Sequence, residues 1–244
     1  MGKKRLDSLL VEKRLTNSKE EAKRLILAGK TLVNGAVVTK AGSLINEEAD
    51  IELKNRERPF VSRGGLKLAG ALKEFKFTVK GLTALDVGVS TGGFTDCLLQ
   101  KGVKKVYAVD VGYGQLVWKI RTDHRVIAIE KKNARYLTIS DIGETVDLAV
   151  VDISFISIKL VLPAIISVLK REGHIIALIK PQFEVGKGEV GKGGIVRDLK
   201  KHIKVLNDIS HFAKDVGLRE IGHTQSPVAG AKGNIEYFFH FVLN

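Results

Sequence analysis

The chain has 244 residues, of which 44% are hydrophobic, and it carries a formal net charge of +13 at pH 7. That hydrophobic fraction supports a buried core and excludes a wholly disordered chain, whereas the excess of Lys and Arg favours a polyanionic partner. A basic surface that serves only solubility is the alternative to such a partner.

The expected compartment follows from three further features. A single cysteine, Cys97, excludes an intramolecular disulfide and fits a reducing environment. There is no apolar run of about 18 residues or more, which argues against a membrane span. The opening MGKKRLDSLL lacks the apolar core and cleavage site of a signal peptide. We therefore expect a cytoplasmic protein.

Residues 1–57 predict a small module of two short helices on a short β-sheet. Ser18 and Glu21 have the spacing of a capping box, so a helix is expected to begin after Ser18. The dipeptide Asn34-Gly35 separates two short apolar runs and predicts a hairpin with a type I′ turn. The stretch ADIEL adds a short strand. The core-facing positions of the helices are Leu6, Leu9, Leu10, Ala22, Leu25 and Ile26.

Basic side chains of this module are candidates for RNA binding, although a charged helix face often meets only solvent. The stretch RLDSLLVEKRLTNSKEEAKRLILAGKTLVNGAVVTKAGSLINEEADIEL resembles the S4 domain, an RNA-binding module of ribosomal proteins and RNA-modifying enzymes. The resemblance implies binding to structured RNA. Lys19 stands where the family often has Arg, which keeps the charge but loses the bidentate fork. The candidates are Arg5, Lys19, Lys23, Arg24 and Lys30.

Beyond Pro59 the pattern changes to apolar runs that alternate with helical stretches. The runs expected as strands are LTALDVGV, KVYAVDVG, RVIAIE, VDLAVVDIS, HIIALIK and NIEYFFHFVL. The stretches expected as helices are TDCLLQKG, QLVWKI, SIKLVLPAIISVLKRE and roughly residues 198–215. Continuous apolar strands spaced by helices are typical of a parallel sheet covered on both faces. We predict a doubly wound, Rossmann-like α/β domain whose ligands bind beyond the carboxyl ends of its strands.

The turn after the first of these strands, DVGVSTGGF, predicts a cofactor-binding loop. Its glycines let the backbone approach a ligand closely before a helix begins. The spacing differs from the G-x-G-x-x-G of a nicotinamide site, and an acidic residue before a glycine-rich turn is the pattern of S-adenosylmethionine-dependent methyltransferases. Asp110 ends the next strand, where a carboxylate can accept both ribose hydroxyls; a helix-cap or loop role is the alternative for each carboxylate. The predicted cofactor-binding residues are Asp86, Gly88, Ser90, Thr91, Gly92, Gly93, Phe94, Asp110 and Asp152.

Four polar residues are expected at the carboxyl edge of this sheet. Asp152 and Lys180 each follow an apolar strand, which is an unusual end for such a run. Lys67 lies in VSRGGLKLAGAL, on a helix expected ahead of the first strand, and Glu236 opens the last strand. Two lysines and two carboxylates at one edge form either a structural ion-pair cluster or a catalytic group, and in an α/β enzyme we favour catalysis.

These four residues match the Lys-Asp-Lys-Glu tetrad of RrmJ-like ribose 2′-O-methyltransferases. With the S4-like module in front, the whole chain resembles the TlyA family, whose members are named as hemolysins and known as ribosomal RNA methyltransferases. The resemblance implies an S4-like RNA-binding domain over residues 1–57, a linker over 58–62, and a methyltransferase domain with a mostly parallel seven-stranded sheet over 63–244. The segments that carry it are SRGGLKL, DVGVSTGGFTD, VDISFISI, LIKPQFE and GNIEYF.

The resemblance also implies the activity: S-adenosylmethionine-dependent methylation of cytidine 2′-hydroxyls in large-subunit ribosomal RNA, with small-subunit RNA as a further target. The implied partners are ribosomal RNA or ribosomal subunits, without stable membrane association. No metal is expected, because the histidines and Cys97 lack metal-ligand spacing. One departure lies in the linker, where the family often has Arg-x-Trp-Val and this chain has Phe60 in place of the Trp.

Methyl transfer from a sulfonium to a hydroxyl is an in-line displacement, so the hydroxyl must be aimed at the methyl carbon and must lose its proton. Lys180 is the predicted base, and it has to be neutral to accept that proton. Lys67 and Glu236 are expected to orient the substrate and balance charge. Asp152 is expected to orient Lys180 or the nucleotide. Assignment of the proton to Lys180 rather than Lys67 is a hypothesis.

The Gly- and Lys-rich stretch EVGKGEVGKGGIVRD, residues 184–198, follows the fifth of these strands. It is either a flexible connection or a mobile basic lid whose Lys187 and Lys192 meet RNA phosphates, and we favour the lid. Phe155 and Phe183 lie next to catalytic strand ends, where they could stack on a flipped nucleotide or belong to the core.

Three other functions compete with this prediction. A cytolysin would account for the hemolysin names and the positive charge, but it has no use for the tetrad. A non-catalytic RNA-binding or ribosome assembly factor would not need all four tetrad residues. A base or protein methyltransferase is disfavoured, because base enzymes commonly use a cysteine or an Asn/Asp-Pro-Pro-Tyr/Phe turn after the fourth strand, where this chain has DISF.

Overall fold

The structure, a computed structural model, describes residues 2–16, 18–54, 59–186 and 188–244. The chain divides into two units, Met1–Arg58 and Pro59–Asn244. Two residues named above, the RNA-binding candidate Lys187 and the first linker residue Arg58, lie outside the described residues.

The first unit is a pair of helices with short strands around them. Its elements are β1 (Lys3–Arg5), α1 (Leu6–Glu12), α2 (Lys19–Leu27), β2 (Thr31–Val33), β3 (Ala36–Val37), β4 (Leu44–Asn46) and β5 (Ile51–Leu53). The Ser18 hydroxyl accepts a hydrogen bond from Glu21 N at 3.1 Å, as the predicted N-cap requires. Asn34 and Gly35 have φ angles of 49° and 81° between the paired strands β2 and β3, which confirms the predicted hairpin.

The second unit alternates strands and helices, as the apolar pattern predicts. Its elements are α3 (Arg63–Glu74), β6 (Thr83–Val87), α4 (Gly93–Gln100), β7 (Lys105–Val109), α5 (Trp118–Arg121), β8 (Val126–Ile129), α6 (Ile139–Ile142), β9 (Val146–Val151), α7 (Leu162–Ile166), β10 (Leu169–Ile179), α8 (Pro181–Glu184), α9 (Leu199–Asp215), β11 (Leu218–Gln225) and β12 (Tyr237–Leu243).

Seven strands of this unit form one sheet in the order β11-β12-β10-β9-β6-β7-β8. The five strands from β10 to β8 run parallel, and β12 is antiparallel to both β10 and β11. This confirms the predicted Rossmann-like α/β class with a mostly parallel seven-stranded sheet. Val151 lies opposite both Val87 and Ala177, and Ile179 lies opposite Tyr237. The residues that follow β6, β9 and β10, and those that precede β12, therefore meet at one edge.

Apolar side chains cover both faces of the sheet, as continuous apolar strands require. Leu85 and Val87 of β6 face a cluster that includes residues of α7 and α9. Ala84 of β6 faces the opposite cluster, which includes Leu68 of α3 and Leu98 of α4. Helix α3, which carries one of the predicted catalytic lysines, is thus packed against the sheet by its apolar side.

Several elements differ from the prediction: β1, β4, α6 and α8 are short and were not predicted, and two further differences are larger. The single helix expected over SIKLVLPAIISVLKRE is wrong: the stretch contains a 3₁₀ turn (Ile158–Leu160), the short α7 and the beginning of β10. Leu169 already pairs with Val146 of β9, and positive φ at Glu172 (58°) accompanies the shift of register that follows. Strand β11 was not predicted, because it forms an edge of the sheet and its exposed positions are mostly polar.

A histidine pair joins β10 and β12, with His240 buried and His174 half-buried. His174 Nδ1 is 3.0 Å from His240 Nε2, and the rings of Phe75 and Phe77 pack against the pair. His240 is only 4% exposed. Burial, with a smaller contribution from His174, lowers the pKa of His240 to about 4. The fold therefore holds His240 neutral.

This pair should make the fold less stable in acid. Between the ordinary histidine pKa of about 6.5 and a pKa of about 4, the unfolded chain binds a proton at His240 that the folded chain does not. The contribution of neutral His240 to the free energy of unfolding is fully present above about pH 6.5 and is lost as the pH falls towards 4. We expect the difference in free energy of unfolding between wild type and His240→Gln to narrow from about pH 7 to about pH 4.5.

Urea unfolding at the two pH values, followed by circular dichroism, measures this difference. The control is His124→Gln, because the His124 side chain is 91% exposed. A difference between wild type and His240→Gln that stays constant with pH would contradict a neutral His240.

Candidate active site

The glycine-rich turn after β6 lies at the carboxyl edge of the sheet. Gly88 has a φ of 85°, and a Cβ there would lie 2.5 Å from the carbonyl oxygen of Asp152. Gly88 N donates to Val109 O at 2.9 Å, and Asp152 N donates to Val87 O at 2.9 Å. Glycine is required at residue 88 both for its φ and for the close approach of the two strand ends.

Asp110 is tied to this turn. Its Oδ2 accepts a hydrogen bond from Ser90 N at 2.7 Å, and its Oδ1 accepts one from Gly112 N at 2.8 Å. Each carboxylate oxygen keeps a further lone pair for a ligand. The half-buried Asp110 side chain therefore lies where a ligand of the turn could meet a carboxylate.

Asp86 has a different position from the other predicted cofactor-binding residues. Its side chain is fully buried, and its Oδ2 accepts a hydrogen bond from Thr95 Oγ1 at 2.6 Å. Burial raises the pKa of the Asp86 carboxyl to about 7. The residue supports the turn from inside and does not line the cavity between the turn and α3.

A cavity of about 300 Å³ lies between the N-terminal end of α3 and the glycine-rich turn. Of the residues predicted from the sequence, it brings together Lys67, Asp152 and most of the turn. Residues 62–64 and 229–230 also line the cavity and were not predicted from the sequence, although the motif SRGGLKL contains the first of these stretches. The lining residues are Ser62, Arg63, Gly64, Lys67, Gly88, Val89, Ser90, Thr91, Gly93, Phe94, Asp152, Ala229 and Gly230.

The predicted tetrad forms two ion pairs. Lys67 Nζ lies 2.6 Å from Glu236 Oε2, and the two side chains are 12% and 2% exposed. Lys180 Nζ lies 2.5 Å from Asp152 Oδ1, outside hydrogen-bond angles, and donates a hydrogen bond to Ser154 Oγ at 2.8 Å. The cavity touches one member of each pair, Lys67 and Asp152.

Gly230 brings the backbone of the preceding loop against the Glu236 carboxylate. A Cβ at residue 230 would lie 2.0 Å from Glu236 Oε1. Gly230 N donates to Asn234 O at 2.8 Å, and Ser226 N donates to Glu236 O at 2.8 Å. The loop thus closes on itself around Glu236 and presents Gly230 to the cavity.

The segment over residues 184–198 is fastened near its C-terminal end. Asn234 Nδ2 donates to Gly194 O at 2.9 Å, and Asn234 Oδ1 accepts from Val196 N at 3.2 Å. Asn234 is buried, whereas Lys192 is exposed. The predicted lid is therefore anchored beside its exposed lysine.

The basic candidates of the first unit fall into two groups. Lys19, Lys23, Arg24 and Lys30 are exposed. Arg5 instead donates two hydrogen bonds, at 3.0 and 2.6 Å, to the carboxylate of the buried Asp7. These bonds hold the pKa of Asp7 below its usual value.

This architecture defines a class of protein: an α/β enzyme that binds its ligand at the carboxyl edge of the sheet. Sequence comparison narrows that class. The profile of the FtsJ-like methyltransferases matches residues 60–243, and the profile of the S4 domain matches residues 4–51. The chain belongs to the FtsJ-like methyltransferase family and carries an S4 domain in front of the catalytic domain.

The chain is similar to several known proteins over nearly its whole length. A Bacillus subtilis protein described as a candidate rRNA methyltransferase, YqxC, is 47% identical over 98% of this chain and 85% of its own. The 16S/23S rRNA (cytidine-2′-O)-methyltransferase TlyA of Mycobacterium tuberculosis is 44% identical over 96% of this chain and 88% of its own. A solved structure described as a candidate hemolysin from Streptococcus thermophilus is 43% identical, with a TM-score of 0.78, covering 100% of this chain and 90% of that one. Within the described part of this chain, no helix has the length and apolar character needed to cross a membrane.

Gly230→Ala should lower the rate of methyl transfer by at least about tenfold, because the added Cβ displaces the Glu236 carboxylate from Lys67. The rate is measured at saturating substrate, with circular dichroism to show that the variant folds. Gly222→Ala is the matched control, since a Cβ there meets no atom within 4 Å. Equal rates for the two variants would contradict the importance of the close contact at Gly230.

Proposed function

We propose that this protein transfers a methyl group from S-adenosylmethionine to the ribose 2′-hydroxyl of cytidine in ribosomal RNA, in the large subunit and also in the small subunit. The observation that carries the proposal is the pair of lysine–carboxylate contacts beside a glycine-lined cavity in an FtsJ-like chain. The similarity to the Mycobacterium tuberculosis enzyme, which acts on 16S and 23S rRNA, supports the substrate. Such a substrate implies work in the cytoplasm.

The residues at the cavity fit this methyl donor. When bound, S-adenosylmethionine supplies a methyl group activated by a sulfonium. The Gly88 backbone leaves no room for a side chain and so forms a cradle, and the Asp110 carboxylate lies next to the turn with lone pairs for ribose hydroxyls. A volume of about 300 Å³ is within the range of small-molecule sites. We assign the turn from Gly88 to Phe94, with Asp110 and Asp152, to cofactor binding, and Asp86 to its support.

Lys180 accepts the proton of the 2′-hydroxyl in this proposal. It enters the step as the free amine and takes the proton as the 2′-oxygen bonds to the methyl carbon and the bond of that carbon to sulfur breaks, which leaves a neutral thioether. Its nitrogen donates a hydrogen bond to Ser154 Oγ at 2.8 Å and lies 2.5 Å from Asp152 Oδ1, and these two contacts hold the nitrogen in place. The proton then leaves to solvent, and Lys180 is ready for the next turnover.

Lys67 and Glu236 position the ribose rather than exchange its proton. Both side chains are nearly buried, and the 2.6 Å contact between them leaves little freedom to either. Lys67 borders the cavity, so its ammonium can donate to an oxygen of the bound nucleotide. Correct aim of the hydroxyl accounts for much of the acceleration in an in-line displacement.

The S4 domain and the edge of the catalytic domain supply the RNA contacts. The exposed Lys19, Lys23, Arg24 and Lys30 provide the phosphate-binding charge of the S4 domain. Phe155 is 86% exposed beside the Asp152 strand end, and its ring centroid is 5.1 Å from that of Phe183. An exposed ring in this position can stack on a base that has been turned out of its helix.

Methyl-labelled S-adenosylmethionine and unmodified ribosomal subunits test the proposed function. Labelled 2′-O-methylcytidine, identified by mass after digestion of the RNA, is the expected product. Lys180→Ala should lower its rate of formation by about 100-fold or more, because the general base is lost. Lys170→Ala is the matched control: Lys170 lies in β10, the strand that Lys180 follows, and contacts Asp147 Oδ1 at 2.6 Å at the opposite edge of the sheet. Absence of label in every RNA, with cofactor bound, would contradict the proposal.

The pH dependence of the rate tests the base separately. Because only the neutral amine accepts a proton, the rate should be higher in alkaline than in acidic buffer. The maximal rate is measured with both substrates saturating. A rate that does not depend on pH would count against Lys180 as the base.

A further inference from the structure

Helix α8 is fastened at both ends to the loop that follows β9. At its beginning, Lys180 contacts Asp152 and Ser154 of that loop at 2.5 and 2.8 Å. At its end, Glu184 contacts Ser157 and Ile158, which follow Ser154 in the same stretch of chain. A helix of one turn has little stability by itself, so these contacts decide where α8 lies.

The contacts of Glu184 are short and directional. Ser157 Oγ donates to Glu184 Oε2 at 2.5 Å, and Ile158 N donates to Glu184 Oε1 at 2.8 Å. Each carboxylate oxygen therefore has its own donor in the loop. Burial raises the pKa of the Glu184 carboxyl above its usual value. A carboxylate that is largely removed from water is uncommon unless hydrogen bonds stabilise its charge, so these two bonds are important for the site.

The loop between the two contacts contains a strained residue. Phe155 has a φ of 69°, a left-handed conformation that a bulky side chain rarely adopts. Such a conformation persists only where the surroundings hold it, and it is frequent at active sites. Phe155 lies in sequence between Ser154, which contacts Lys180, and Ser157, which contacts Glu184.

We propose that Glu184 is a positioning residue of the active site, which clamps the loop over residues 153–157 onto α8 and so fixes both the Asp152–Lys180 pair and the exposed Phe155 ring. The inference rests on the proposed function, because its consequence for catalysis presupposes that Lys180 and Phe155 meet the nucleotide. Glu184 itself touches neither the cavity nor the tetrad among the described contacts.

Glu184→Ala removes both acceptors, and Glu184→Gln keeps the clamp. The amide oxygen of Gln can accept from Ile158 N, and its NH₂ can donate to Ser157 Oγ. We expect Glu184→Ala to lower kcat by about 10- to 100-fold, since misplacement of reacting groups by about 1 Å has effects of this size. Glu184→Gln should recover most of kcat, which a variant that had only lost stability would not do.

The matched control is Glu220→Ala. Glu220 Oε2 also accepts a 2.5 Å hydrogen bond from a serine, Ser210, but it lies on β11 near the strand end opposite the active-site edge. Its loss should leave kcat within about twofold of wild type. If Glu184→Ala fails to fold, Ser157→Ala removes one donor only and should still lower kcat.

Two results would overturn the positioning role: a wild-type kcat in Glu184→Ala, or a Glu184→Gln variant as impaired as Glu184→Ala. Amide hydrogen exchange tests the clamp without activity, since Ile158 N–H should exchange faster in Glu184→Ala than in wild type. If the wild type is inactive but Ile158 N–H exchanges faster in Glu184→Ala, the proposed function is contradicted and the clamp is still supported. Unchanged exchange at Ile158 would contradict the clamp itself.

Discussion

The catalytic edge depends on one electrostatic constraint: an ammonium that is nearly removed from water must have a carboxylate against it. Lys67 and Glu236 satisfy this at 2.6 Å with very little exposure. If either partner is lost, the other is left as an unpaired charge in a poorly solvated place, which is far more costly than loss of an exposed pair. The surrounding backbone follows from this constraint. Gly230 has no side chain because the Glu236 carboxylate occupies that space, and α3 packs on the sheet so that Lys67 reaches it.

The sheet brings three of the four charged residues, Asp152, Lys180 and Glu236, to one edge from distant parts of the chain. Parallel strands end at a common edge, so Asp152 and Lys180 become neighbours although 28 peptide bonds separate them. The antiparallel β12 runs the opposite way, and therefore its beginning, rather than its end, lies at the same edge. Because Tyr237 pairs with Ile179, the residue before β12 is placed beside the residue after β10. A mixed sheet thus combines two strand ends and one strand start in a single site.

The sequence was sufficient for those features that depend on strand periodicity. Apolar runs with a polar residue at the end predicted Asp152 and Lys180, and positions before the first strand and at the start of the last strand predicted Lys67 and Glu236. The division of the tetrad into two pairs could not be predicted, since it depends on register and on side-chain direction. Ser62, Gly230 and the other loop residues that line the cavity have no periodic pattern. The same limitation explains the incorrect helix over SIKLVLPAIISVLKRE: its apolar residues suit a helix and a strand equally well, and only pairing with β9 decides between them.

The attachment of the Gly- and Lys-rich segment by Asn234 has a consequence for the thermodynamics of binding. A free glycine-rich loop samples many conformations and loses that entropy when a polyanion orders it. Here the side-chain amide of Asn234 has already fixed the backbone at Gly194 and Val196, next to the exposed Lys192. Part of the ordering cost is met when the protein folds, so in the proposed contact of Lys192 with RNA phosphate a larger share of the interaction contributes to affinity.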